Sequence, residues 1–167
     1  GYALDLKNEV KMLEILKKIK GPRIVSTFLG AHARPPEFSD NESYLQYLSE
    51  KVLPVIKKKN LSKRVDIFIE NKFFEKAESL VYLKNAVELG FDITIHANQL
   101  SLSAGAELAL DLAAKSADHV IHLDDKLIHR FAQLNIQSKT VAVLLPTADL
   151  YMKCAYPPAR KLIDAGA

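Results

Sequence analysis

The sequence has a single cysteine, Cys154, among 167 residues. That scarcity excludes an intramolecular disulfide framework and a cysteine-cluster metal site, and it fits a reducing compartment. No apolar run approaches the roughly 18 residues of a membrane span. No basic-then-apolar leader opens the chain either, so the expected location is cytoplasmic. Charge of one sign is also in short supply: 23 Lys and Arg against 20 Asp and Glu leave a formal +3. The basic residues gather in helical stretches such as Lys17, Lys18, Lys20 and Lys57 to Lys59, which describes a solvated face and not a nucleic-acid groove. The sequence also lacks an Asn-Gly turn between apolar segments, the strand-turn-helix glycine fingerprint of a dinucleotide fold, and a His-x-His pair. What is there is an ordinary globular composition, 49% hydrophobic and 26% charged, enough for a substantial core. The chain starts at Gly1 and stops just after Gly166, a helix-ending glycine that ordinarily leads into another strand, so both ends read as cut.

Apolar residues recur at helical spacing from Asn8 to Lys20, and Gly21-Pro22 stops the pattern. Ile24 to Leu29 is a short strand feeding the polar, proline-bearing loop from Gly30 to Pro36. Asn41 to Lys59 is helical, with a break or kink expected at Pro54. Val65 to Ile69 and Asp92 to Ile95 are strands ended by Glu70 and His96, and Glu78 to Leu89 is the helix between them. Ala104 to Lys115 is a helix, followed by Ser116-Ala117-Asp118-His119 and the apolar Val120-Ile121. Asp124 to Leu134 is a helix, Thr140 to Leu145 a strand closed by Pro146, and Pro158 to Ala165 the last helix. Strand and helix alternate about five times, which favours parallel pairing and the α/β class. A doubly wound sheet and a (β/α)8 barrel compete for the architecture.

Four successive apolar segments end on an ionisable side chain: Gly30-Ala31-His32, Phe68-Ile69-Glu70, Thr94-Ile95-His96 and Ala117-Asp118-His119. In parallel α/β folds the carboxyl ends of the strands converge, so these groups are candidates for one site. Imidazole is the commonest metal ligand, because one neutral nitrogen donates a lone pair while the other is held by a neighbour. His96 is the best candidate ligand. A catalytic zinc site supplies about three protein ligands and leaves one position open for water. With no second obvious strand-end carboxylate beyond Glu70, a complete set is not visible.

Seven blocks in order carry a likeness: Gly1-Tyr2-Ala3-Leu4-Asp5, Thr27 to Ala33 with Pro35-Pro36-Glu37, Val65 to Glu70, His96-Ala97-Asn98-Gln99-Leu100, Ser116 to His119, Val141 to Pro146, and Tyr156 to Gly166. They resemble the imidazolonepropionases of the amidohydrolase superfamily. The resemblance implies a partial (β/α)8 barrel covering roughly strands 3 to 7, with residues 1–167 a single barrel segment. It further implies hydrolysis of 4-imidazolone-5-propanoate to N-formimino-L-glutamate in histidine degradation, with one bound zinc or iron ion. By matched position, His96 would ligate the metal and His119 would contact substrate and move protons. Gln99 would stand near the ring and the attacking water, and Tyr2 and His32 would bind substrate. The implied partners are a small-molecule substrate and, at full length, a second copy, with no nucleic acid and no membrane.

The chain departs from the family at several points. The paired metal histidines of the first strand and the metal aspartate of the eighth fall outside it. Gln99 has no proton-accepting carboxylate, so as a base it is replaced by His119 or by that outlying aspartate. Ala3 replaces a usual glycine, and Arg34 a usually apolar residue. Two rivals to this reading are an inactive barrel fragment and a sister amidohydrolase acting on another cyclic amide. A third is a doubly wound binding module without metal chemistry. Glu70 has three roles open to it: a partner behind the site, a cap on the following loop, or an ion pair with Lys72. His122 and His129 read as surface residues and Cys154 as an inert thiol.

Overall fold

A computed structural model of the chain describes residues 3, 5–133 and 140–167. Tyr2, and Leu134 at the expected end of one helix, lie outside the described residues. Helix α1 (Leu6–Lys18) leads to β1 (Thr27–Ala31). Then α2 (Asn41–Tyr47), a π-helical turn (Leu48–Val52) and α3 (Leu53–Lys58) lead to β2 (Arg64–Ile69). There follow α4 (Lys76–Glu88), β3 (Asp92–Ala97), α5 (Gly105–Asp111), β4 (Ser116–His119), α6 (Asp125–Ala132), β5 (Val141–Val143), α7 (Pro146–Met152) and α8 (Ala159–Ala165). Among the described residues no helix is long and apolar enough to cross a membrane.

The strands form one five-stranded sheet in the order β1-β2-β3-β4-β5. Pairing is parallel between β1 and β2, between β3 and β4, and between β4 and β5. A doubly wound sheet reverses its order at a switch point. This order runs one way throughout, as it does around a (β/α)8 barrel, and the sheet is an open part of one.

Where element ends differ from expectation, local chemistry accounts for them. Helix α1 starts before Asn8 because the Asp5 carboxylate caps it, accepting from the Asn8 N–H at 2.8 Å. Pro54 does not break its helix. With no N–H it cannot bond back one turn, and a π turn precedes it in which the Leu53 N–H reaches the Leu48 carbonyl. Pro146 does not merely close β5. It opens α7, since a first-turn position needs no N–H and suits the fixed φ of proline. Strand β3 runs through His96 to Ala97, so His96 is a member of the ladder and does not lie beyond it.

Two compact units divide the chain. The first, Gly1–Ile67 with Ala77–Ile93, buries Phe28, Leu45, Val52, Leu53, Ile56, Val65, Ile67 and Leu83. Two tyrosines are sealed in the same core. The Tyr44 hydroxyl donates to the Gly30 carbonyl at 3.0 Å. That of Tyr82, 1% exposed, has no hydrogen-bond partner among the described residues. The second unit, Phe68–Lys76 with Thr94–Ala167, buries Ile69, Phe74, Ile95, Ala97, Ala106, Leu108, Ala109 and Ala117. Here the start of α5 presses on the strands: a Cβ at Gly105 would lie 3.0 Å from Ala97 Cα and 3.2 Å from Ile69 Cβ. Only glycine fits there without the strands giving way.

Burial pushes the Tyr44 and Tyr82 phenols above their ordinary value. Because the folded-state value is the higher one, the stabilisation is complete below the unfolded pKa of about 10 and is lost as pH rises above it. Urea unfolding should therefore show stability falling beyond about pH 10. Tyr82→Phe removes a hydroxyl that has no partner, so at neutral pH it should change stability by less than about 1 kcal/mol, and it should shallow the alkaline fall. An alkaline limb identical in the variant and the parent chain would contradict this account.

Candidate active site

The carboxyl ends of β3 and β4 carry the polar residues of the second unit. In the parallel ladder His96 is registered with Asp118, and Ala97 with His119. Registered residues share a face, and His96 and Asp118 each offer a ligand atom within 4.8 Å of the other. Both are half-buried, which leaves them reachable. In a regular strand His119, next to Asp118, would point to the opposite face. It does not, because His119 has φ 75 and Val120 φ 43, both in the left-handed region. The chain turns there, and the His119 ring comes to 5.4 Å from the His96 ring, tilted by 48°. Phe68 meets the His96 ring edge-on at 6.3 Å. Strain of this kind at the end of a strand costs about 1–3 kcal/mol per residue and marks sites where a side chain must be aimed.

Two buried polar side chains hold the loop after β3. Asn98, fully buried with φ 50, accepts at Oδ1 from the Ala106 N–H at 2.9 Å and donates from Nδ2 to the His122 carbonyl at 2.9 Å. The N-cap position of α5 is Ala104, which has no side-chain acceptor. Asn98 supplies the missing acceptor from outside the helix. Glu70, 1% exposed, accepts from the N–H groups of Asn71 at 2.9 Å, Leu100 at 2.8 Å and Ser101 at 3.2 Å, and from the Ser101 hydroxyl. It therefore caps a loop, the one after β3.

Between Asn98 and the Glu70-bound amides stands Gln99, 7% exposed, its Nε2 3.3 Å from the Met152 Sδ on α7. From the same helix Asp149, fully buried, faces His119, with Oδ1 3.8 Å from Nδ1. His96, His119 and Gln99 thus share the strand ends of one unit. His32, in the other unit, follows β1 directly, half-buried, its N–H donating to the Gly30 carbonyl at 2.9 Å. His129 is exposed and His122 half-buried, in keeping with surface positions. Cys154 is half-buried, and its thiol reaches only the Met152 carbonyl, at 3.9 Å.

Sequence reasoning passed over Asp118, Asp149, Met152 and Asn98. Asp118 was legible as a polar residue at the end of its strand, whereas its register with His96 was not. Asp149 and Met152 were not legible, because the sequence pattern closes a strand at Pro146 and offers no helix between it and Pro158. The arrangement provides an imidazole and a carboxylate of the kind that hold zinc or iron. It also provides a histidine with a carboxylate behind it for proton movement, and an amide that can hydrogen-bond but cannot take a proton.

The chain matches no family model. It is 56% identical over 166 residues to the imidazolonepropionase of Bdellovibrio bacteriovorus, covering 99% of this chain and 38% of that protein. It is 43% identical over 171 residues to the imidazolonepropionase of Treponema denticola and 42% identical over 170 residues to that of Fusobacterium nucleatum, covering 99% of this chain and 40% of each protein. The chain therefore spans about two fifths of the length of these relatives.

Removing the Glu70 carboxylate takes the acceptor away from the part-buried amide hydrogen bonds of Leu100 and Ser101. Glu70→Ala should lower stability by about 2–4 kcal/mol and speed hydrogen exchange at those two amides, with Glu70→Gln intermediate. Unchanged exchange at Leu100 and Ser101 would refute the clamp.

Proposed function

We propose, for a chain that belongs by sequence with the imidazolonepropionases, that the full-length protein hydrolyses 4-imidazolone-5-propanoate to N-formimino-L-glutamate. This places it in histidine degradation, as a cytoplasmic enzyme and a homodimer. The 56% identity along 99% of the chain carries the reading. It is supported by the grouping of His96, Asp118 and His119 at two neighbouring strand ends.

His96 would hold the metal, zinc or iron, and Asp118 is a carboxylate of the same unit with an oxygen within 4.8 Å of the His96 ligand nitrogen. A bound ion of this type supplies a water that ionises near neutral pH and polarises the ring carbonyl. The remaining work belongs to side chains. His119 takes the proton released as water adds to the carbonyl carbon, and returns it to the ring nitrogen as the C–N bond breaks. Water oxygen thus ends in the new carboxylate, one water proton ends on the departing nitrogen, and the other is released to solvent as the carboxyl group ionises. Gln99, locked by Met152 and by the clamped loop on either side, donates a hydrogen bond to substrate. His32 and Tyr2 bind substrate.

The full-length protein should consume imidazolonepropionate and release formiminoglutamate. Activity confined to another cyclic amide would move the reading to a sister amidohydrolase. His119→Ala should lower kcat by about 10²–10⁴-fold with metal content retained, whereas His96→Ala should lose the metal as measured by elemental analysis. The 167-residue chain alone, which lacks three fifths of the relatives' length, should be inactive and bind no stoichiometric zinc or iron. Tight stoichiometric metal in that chain would overturn this last point.

A further inference from the structure

Helix α7 places two side chains one turn apart on a single face, Asp149 and Met152. Met152 meets Gln99, and Asp149 meets His119. The second contact is the unusual one. Asp149 is 0% exposed, and neither of its carboxylate oxygens has a hydrogen-bond partner among the described residues. A carboxyl group buried in this way is costly unless a compensating group faces it. The group that faces it is His119 Nδ1, at the separation of an ion pair. His119 is in turn held in a left-handed backbone conformation at the end of β4. A strained backbone on one side and a sealed carboxylate on the other determine where the ring can point.

We infer that Asp149 is a positioning residue for His119. A neutral imidazole carries one N–H, and which nitrogen bears it is set by the group facing the ring. Asp149 keeps the proton on Nδ1, which leaves the Nε2 lone pair to accept a proton from the attacking water. No new atom enters the reaction: the proton arrives at Nε2 and leaves from Nε2. The catalytic purpose of this pairing rests on the hydrolase reading above, but the tautomer does not.

Long-range proton–nitrogen correlation spectra of the full-length protein, labelled with ¹⁵N-histidine and prepared with zinc, report the tautomer directly. His119→Gln assigns the resonance. His119 should be the Nδ1–H tautomer in the parent protein and should lose that preference in Asp149→Ala. In the formiminoglutamate assay Asp149→Ala should lower kcat about 10–100-fold with KM little changed, and Asp149→Glu should recover part of the loss. An Nε2–H tautomer in the parent protein overturns the inference without any variant, so a variant that fails to fold does not shelter it. A folded Asp149→Ala protein with unaltered tautomer and kcat overturns it as well. A full-length protein inactive on imidazolonepropionate, yet showing the Asp149-dependent Nδ1–H tautomer, supports the pairing and sinks the hydrolase reading.

Discussion

The parallel register between β3 and β4 is the constraint on which the candidate site depends. It sets His96 opposite Asp118 on one face of the sheet, and a slip by one residue would send one of them to the other face. The reversal of φ at His119 then adds a third group to that face, which regular alternation would have denied it. A strand can supply only every second side chain to a site. Breaking the strand at its last residue is how this chain supplies two in succession, Asp118 and His119.

That arrangement is maintained by polar groups inside the second unit. Buried donors and acceptors cost free energy unless each finds a partner. Glu70 and Asn98 meet that requirement for the loop after β3: one gathers the adjacent amides of Leu100 and Ser101, and the other caps α5, whose own N-cap residue is an alanine. The loop between them carries Gln99, so that side chain is held in place from both sides of its own loop. Gly105 belongs to the same construction, because the close seating of α5 on Ala97 and Ile69 brings the helix start within reach of Asn98.

Much of this was legible beforehand. The alternation of apolar segments indicated the α/β class, and His96 and His119 were found as strand-end polar residues because strand-end chemistry is written as a short β-rich run stopped by an ionisable group. The relatives' names agree with the likeness carried by the seven blocks. The alternation alone left a doubly wound sheet and a barrel segment open, since both share it, and the family likeness pointed to the barrel segment. Strand order decided it. Helix α7 was not legible, because a proline after an apolar run serves equally well as a strand stop or as the first residue of a helix.

What the sequence by itself determined is therefore the type of element, the identity of the polar residues at the strand ends, and the family likeness. All of these are local, carried by spacing and by residue chemistry over a few positions. Only the tertiary structure decided which polar groups meet: Asp118 with His96, Asp149 with His119, Glu70 with the loop after β3. Those meetings join residues about 20 to 30 positions apart through strand register, a turned backbone and a helix not foreseen. The physical reason is that a periodic pattern specifies which face a side chain takes, while the partner on that face is set by how separate elements pack.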